Sequence, residues 1–322
     1  MKPQVLSDIT SICILPLEKP SHLKNDKYYV GWSNPSIAYN PKDNLFYCNV
    51  RCTNYTLKRN RKHLTYCAPT SKDKHFETIN YLGTSPNPFE IPFNFSPVME
   101  EREHFSDKWG LEDARISLWN NSVCLNGTRR DYNNAQMGRI ECNTIIKEYD
   151  QWKVKEFRRW DGLDNDCTFC EKNWMPVEFR PNVYIAIPDP VFACWCNPND
   201  WHLQPIIGND RLHLATTLPG TLRGSSQLIG FNDGYICVLH TATIDETGQY
   251  QYLHYFATYS NDFKMTALSK PFKFEGKDVE FCCGMCFKFN LFYISYSLMD
   301  NDARLMVISE GDMSNLLKDE KS

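Results

Sequence analysis

Gly110-Leu111-Glu112-Asp113-Ala114-Arg115-Ile116-Ser117-Leu118 carries three charged side chains within four residues, runs on as an apolar strand, turns at Asn120-Asn121 and returns as Val123-Cys124-Leu125. A strand that only fills a core does not open on such groups. The same order of polar anchor, short strand, turn and second apolar strand recurs on either side of it. Upstream stands Asn34-Pro35-Ser36-Ile37-Ala38-Tyr39, a turn over 40–44, and Leu45-Phe46-Tyr47-Cys48-Asn49-Val50. Downstream, Lys172-Asn173-Trp174-Met175-Pro176-Val177 leads through Arg180-Pro181-Asn182 to Val183-Tyr184-Ile185-Ala186-Ile187. Arg223-Gly224-Ser225-Ser226-Gln227-Leu228-Ile229 leads through Asn232-Asp233-Gly234 to Tyr235-Ile236-Cys237-Val238-Leu239-His240. Last, Val279-Glu280-Phe281-Cys282-Cys283-Gly284-Met285-Cys286 turns near Asn290 into Leu291-Phe292-Tyr293-Ile294-Ser295-Tyr296.

The copies begin at 34, 110, 172, 223 and 279, intervals of 76, 62, 51 and 56 residues, and helical periodicity is confined to residues 313–318. Five strand-and-turn units of this length imply an all-β protein, a five-bladed β-propeller forming a single domain over 1–322. The first strand of a propeller blade lines the central axis, so the opening side chains of all five copies converge on one mouth. Asn34, Glu112 with Asp113, Lys172 with Asn173, Arg223 with Gln227, and Glu280 are thereby brought together as a candidate site.

Composition narrows the partners. With 35 Lys and Arg against 39 Asp and Glu, the 322-residue chain carries a formal charge of −4, which argues against nucleic acid as its main partner. The densest basic run, Lys58-Arg59-Asn60-Arg61-Lys62-His63, reads as a solvated loop. No stretch reaches the ~18 continuous apolar residues of a membrane helix, and the apolar run 12–17 is too short for a signal peptide. A cytoplasmic location is therefore expected. Aromatic residues make up 14% of the chain, suiting strands and sugar-stacking surfaces as well as core packing.

Fourteen cysteines without a secretion signal read as free thiols. Cys167-x-x-Cys170 with Cys194-x-Cys196 has the wrong second spacing for a zinc knuckle. Asp164-Asn165-Asp166 and Asp300-Asn301-Asp302 have metal-nucleotide spacing in turn-like contexts. No metal and no cofactor is expected.

The five anchors together resemble those of the five-bladed propeller enzymes of glycoside hydrolase family 130, and equally of the related mannosyltransferases and phosphorylases of glycosyltransferase family 108. The resemblance covers roughly residues 30–309. It implies inverting chemistry on β-mannosides, with phosphate or a nucleotide-activated sugar as the other reactant and an oligosaccharide or glycan as acceptor. Asp113 falls on the family's catalytic acid, where Ala114 replaces the proline usual in the hydrolase and phosphorylase branch. Lys172 falls on a phosphate-binding lysine, and Arg129 or Arg130 are candidates for the phosphate-binding arginines. Asp300-Asn301-Asp302 resembles the closing acidic motif, which binds sugar hydroxyls or caps the last turn.

The residues can support that chemistry. Glycosidic transfer needs an acid or base at the bridging oxygen, and hydrolysis with inversion needs a second carboxylate about 6.5–9.5 Å away. Phosphate as nucleophile or leaving group needs cations instead. Lys172, Arg223, His240, His254 and members of the set Arg51, Arg115, Arg129 and Arg130 are set against Asp113, Glu112, Glu280, Asp300 and Asp302. This excess favours a phosphate-containing reactant over plain hydrolysis. Arg51, with Asn54 beside it, is a sugar contact or a surface arginine; Glu112 and Arg115 contact substrate or pair with each other; His240 and His254 bind ligand or pack in the core. The expectation is mannosyl transfer from mannose 1-phosphate or a sugar nucleotide. The alternatives are a degradative phosphorylase or hydrolase, or a silent propeller that binds carbohydrate or protein. Self-association is compatible with all of these readings.

Overall fold

The computed structural model describes residues 3–8, 12–60, 63–67, 75–103, 108–131, 137–159, 170–186, 192–196, 203–205, 218, 220–244 and 250–318, of which 58–60, 63–67, 192–196, 203–205 and 250 are described by backbone alone. Most of its strands fall into five antiparallel units. Blade one is Gly31–Asn40, Leu45–Thr53, Phe76–Ser85 and Ser96–Met99; blade two is Leu111–Trp119, Ser122–Arg129, Arg139–Glu148 and Gln151–Arg159. Blade three is Met175–Pro176, Val183–Ala186, Phe192–Cys196 and Leu203–Pro205. In blade four the inner position is split between Thr221–Gly224 and Ile229–Phe231, both paired with Gly234–Ile244, and Tyr250–Ser260 follows outside. Blade five is Glu280–Lys288, Leu291–Leu298 and Asp302–Ser309, and its outer strand is Cys13–Pro16 from the other end of the chain. The register Cys13↔Val307 to Pro16↔Arg304 closes the ring.

The core lies between blades. Ile37, Phe46 and Val50 of blade one pack with Tyr293 and Leu305 of blade five, and Ala38, Tyr47 and Leu82 with Ile116, Leu125 and Ile145 of blade two. Trp119 and Ile140 meet Trp174 and Tyr184 across blades two and three. Met175 and Ile185 meet Leu239 and Tyr255 across three and four, and Ile236 and Phe256 meet Met285 and Met306 across four and five. Five apolar interfaces among five blades make a closed circuit, the all-β five-bladed propeller that the anchor spacing implies.

Polar contacts fix the axis. Ile116 N donates to Ser36 Oγ at 2.9 Å and Ser295 Oγ donates to the Pro35 carbonyl at 2.7 Å. A Cβ on Gly284 would lie 2.3 Å from Ile37 N, so blade five approaches blade one more closely than any side chain permits. The C-terminal helix spans Glu310–Lys318, starting earlier than periodicity alone suggests. Among the described residues no helix is long and apolar enough to cross a membrane. The ten cysteines whose side chains are described are free thiols, and no group of three or more His, Cys, Asp or Glu side chains among the described residues is placed to hold a metal. The basic run read as a loop instead has residues 58–60 and 63 in a two-stranded hairpin of Thr56–Asn60 with His63–Cys67, while its side chains, residues 61 and 62, Cys167, residues 164–166 and the side chains of Cys194 and Cys196 lie outside the described residues.

Candidate active site

Three anchors share one backbone device. Asn34, Asp113 and Asn173 adopt left-handed conformations, with φ of 49°, 51° and 60°. The inner strands of blades one and two shift register beside theirs, between Ser33 and Ser36 and between Glu112 and Arg115. A bulge re-aims a side chain that regular pleating would leave on the sheet face. Asn and Asp tolerate this conformation better than most residues, which accounts for their choice. The result is a cavity of about 390 Å³ at one end of the axis.

Asp113 sits in it. Its Oδ1 accepts hydrogen bonds from Asn34 Nδ2 at 2.8 Å and from Arg51 at 2.7 Å, and its side chain keeps 18% exposure, enough to meet a ligand. Burial alone would raise this carboxyl. The charges of Arg51, Lys172 and Arg115 and the Asn34 amide outweigh it and hold Asp113 below the usual carboxylate range, so it is ionised at neutral pH.

The loop that carries Asp113 is pinned along its backbone. Gly110 N donates to Asp131 Oδ2 at 3.2 Å, Asn80 donates to the Leu111 carbonyl at 3.0 Å, and Arg115 donates to the Asp113 carbonyl at 2.9 Å. Gly110 has φ of +93°, and a Cβ there would lie 2.0 Å from the Thr78 carbonyl oxygen, so only glycine fits.

Cations surround the carboxylate. Arg51, Lys108, Arg130, Lys172 and Arg223 line the cavity against Glu112, Asp113 and Asp300. Arg130 and Lys172 both approach Glu112 at 3.5 Å, so Glu112 is neutralised by this pair and does not join Arg115. Arg51 also donates to Tyr55 Oη and lies 5.5 Å from that ring. Opposite, His240 shares a 2.8 Å hydrogen bond between Nδ1 and Ser225 Oγ, stacks on Tyr252 at 20° and meets Phe281 edge-on. Burial, with His254, Arg223 and Arg115 nearby, pushes its imidazole well below the ordinary value despite Asp113, so it faces the cavity uncharged.

Of the residues singled out in the sequence, Asn34, Arg51, Glu112, Asp113, Arg130, Lys172, Asn173, Arg223, His240 and Asp300 line this cavity. The others are structural. Arg129 is fully buried and bound by Glu100, Asp131 and Glu141, leaving no face for phosphate. Arg115 is buried and braces blades two, three and four through the Ser225 carbonyl and Asn173 Oδ1. Gln227 bridges blades, donating to the Ile37 carbonyl at 2.7 Å and accepting from Met285 N at 3.2 Å. Glu280 accepts the backbone N–H groups of Phe274, Glu275 and Lys277. Asn54 clamps the Glu77 amide and Tyr28, and Asp302 pairs with Arg304 at 2.6 Å. His254 is wholly buried among Phe272 and Phe274, and burial together with Lys273 pushes its imidazole down to about 3.

Val279 and Phe281, which flank Glu280 in the fifth anchor, line the cavity in its place, and Tyr55, Phe76, Lys108 and Tyr252 line it without having stood out in the sequence. Tyr252 carried the one available signal: it lies two residues before His254 and so on the same strand face.

The axial bulges of this all-β ring of five blades thus aim a carboxylate into a cation-rimmed mouth. The sequence matches no protein-family model, and no curated protein matches it. Solved structures do. A structure reported for glycoside hydrolase family 130, a family of mannoside phosphorylases said to contain hydrolases that target β-1,2-mannosidic linkages in Candida mannan, aligns over 96% of this chain and 97% of its own at 13% identity with a TM-score of 0.65. The β-1,2-mannobiose phosphorylase of Listeria innocua aligns over 95% and 97% at 14% identity, TM-score 0.59. A mannose phosphorylase of Leishmania mexicana, solved with phosphate ion, aligns over 90% and 87% at 13% identity, TM-score 0.50. At these identities the likeness establishes the fold.

Proposed function

We propose that this protein is an inverting glycosyl-transfer enzyme that moves a mannosyl unit between a phosphate-activated donor and the hydroxyl of a β-mannoside acceptor. The observation that carries the reading is Asp113: an ionised carboxylate held by Asn34 and Arg51 inside a mouth where five cations face three carboxylates. An ionised Asp113 is ready to act as a base. In synthesis the acceptor oxygen attacks the anomeric carbon, its proton passes to Asp113, and the bond to the phosphate oxygen breaks with inversion. In phosphorolysis a phosphate oxygen attacks the anomeric carbon with inversion, and the same carboxyl, having taken up a proton, protonates the departing glycosidic oxygen. Lys172, Arg130 and Arg223 are placed to balance the charge that phosphate carries in either direction. The solved neighbours described as mannoside phosphorylases support mannose and phosphate as reactants.

Glu112 stands beside Asp113 in the mouth, 3.5 Å from both Lys172 and Arg130. Asp300 on the same mouth keeps plain hydrolysis as the second reading. Phosphorus NMR separates them. Purified protein is incubated with mannooligosaccharides and either mannose 1-phosphate or GDP-mannose. Reversible release of inorganic phosphate from mannose 1-phosphate identifies a phosphorylase, and acceptor-dependent GDP identifies a nucleotide-sugar transferase. Mannose released from the mannooligosaccharides in a third tube without any phosphate compound, read by proton NMR, identifies a hydrolase. Silence in every tube overturns the enzymatic reading and leaves a binding propeller, whose affinity for mannosides would survive Asp113→Asn.

A further inference from the structure

Arg129, Glu100, Asp131, Glu141, Arg102 and Arg159 form an ion-pair cluster beside the mouth. Glu141 is fully buried and meets Arg129 at 3.2 Å, Arg102 at 3.0 Å and Arg159 at 3.1 Å. Arg129 contacts both oxygens of Asp131 at 3.2 Å and reaches Glu100. Burying so many charges costs desolvation that a hydrophobic cluster of the same volume avoids, so stability alone explains it poorly.

One member has a second bond. Asp131 is 1% exposed, and its Oδ2 also accepts the N–H of Gly110, the residue just before the strand whose bulge carries Asp113. Gly110 is pressed on its other side against the Thr78 carbonyl, and Thr78 Oγ1 accepts a hydrogen bond from Arg51 Nε at 3.3 Å. Arg51 in turn holds Asp113. Asp131, Gly110, Thr78, Arg51 and Asp113 therefore form one continuous chain of contacts from the cluster to the mouth.

We propose that Asp131 is a positioning residue: anchored by Arg129, it fixes the Gly110 amide and thereby the location of the Asp113 carboxylate. The kinetic consequence rests on the transfer reading given above; the structural one does not. Asp131 receives donors from both sides, Arg129 and Gly110. Arg129 touches both carboxylate oxygens and Gly110 touches Oδ2, so an asparagine turns its N–H₂ either toward Arg129 alone or toward Arg129 and Gly110 together, and Asp131→Asn weakens the anchor at Arg129 in either orientation while keeping the side chain's shape.

Two readouts test this. Trp109-Gly110 is the only Trp-Gly peptide in the sequence, so labelling tryptophan carbonyl carbon with ¹³C and glycine nitrogen with ¹⁵N isolates the Gly110 amide in an NMR spectrum. Labelling Asp Cγ with ¹³C reports Asp113 titration, assigned by its loss in Asp113→Asn. In Asp131→Asn the Gly110 amide is expected to move upfield and the Asp113 titration to shift. Transfer kcat falls about 10- to 100-fold, with KM changed far less, as expected for a misplaced reacting group. Glu141→Gln is the control: it wounds the same cluster but leaves Gly110 untouched, so it is expected to lower Tm while both resonances stay in place. Should Asp131→Asn fail to fold, Asp131→Glu keeps the charge for Arg129 and carries the carboxylate off Gly110, with the same shifts expected. Unchanged resonances in the Asp131 variants, or shifts in Glu141→Gln that match theirs, overturn the proposal. A wild-type protein without turnover overturns the transfer reading alone, and the NMR arm still decides the role of Asp131.

Discussion

At the scale of single residues, Asp113 and Arg51 set each other's charge. Burial opposes ionisation of Asp113, and Arg51 is the first of the groups that reverse it. Removing that cation in Arg51→Met therefore raises the Asp113 carboxyl, and the acid limb of the kcat–pH profile moves upward with it. An unmoved limb would place the titration elsewhere. The same depressed carboxyl stabilises the fold above its unfolded value, near 3.9, and this contribution disappears as pH falls through the lower folded value. Asp113→Asn is expected to abolish turnover and to flatten the stability curve below about pH 4, measured by urea unfolding. The sequence made Asp113 visible because a charged pair opening an apolar strand is conspicuous. It hid the difference between Glu112, which faces the mouth, and Glu280, which closes a turn through three backbone N–H groups. Both read as polar residues at a strand start; only the path of the neighbouring backbone separates them.

At the scale of elements, the anchor, strand and turn pattern located the inner hairpins well because alternation and turn residues are local signals. Outer strands were less legible. Blade five borrows Cys13–Pro16 from nearly 290 residues away, a pairing set by ring closure and carried by no local pattern. Gln227 and Arg115 were misplaced for a related reason: a buried polar side chain that bonds the backbone of the next blade looks, in sequence, like one that meets a ligand. Aromatic residues failed in the opposite sense, since Tyr252 and Phe281 have the pattern of core strands yet border the cavity. The closing strand yields a prediction. It binds blade five through its register, Leu17 N donates to the Ala303 carbonyl, and Trp32 Nε1 donates to the Leu17 carbonyl at 2.7 Å. Deleting residues 1–17 exposes the edge of Asp302–Ser309 and is expected to lower Tm by about 5–15 °C and to promote association along that edge. A peptide spanning 12–18, added in trans, is expected to restore part of the loss by strand addition. Calorimetry and light scattering read both effects, and an unchanged Tm would mean that the ring does not depend on this closure.

At the scale of the molecule, the chain is acidic and its mouth is not. Five cations face three carboxylates around the cavity, while the whole sequence carries −4. A positive island in a low-dielectric recess concentrates small anions there without making the protein bind polyanions generally. Phosphate binding should therefore weaken about three- to tenfold between roughly 20 and 500 mM NaCl, because part of the attraction is screened over the Debye length. Arg223 is the most informative of the five. It shares the mouth with the neutral His240 and with Tyr252, and no ion pair holds it among the described residues. Arg223→Gln is expected to weaken phosphate at least tenfold at low salt, since a charge-assisted bond is worth about 1.5–3 kcal/mol, and to flatten the salt dependence that remains. Lys172→Ala is expected to act in the same direction, but it also releases Glu112 from one of its two cations, so its loss combines attraction removed with repulsion gained. Titration calorimetry with inorganic phosphate across the salt series distinguishes the two. Binding that ignores salt in the wild type, or survives both substitutions, would remove the cationic mouth as support for the proposed phosphorylated reactant.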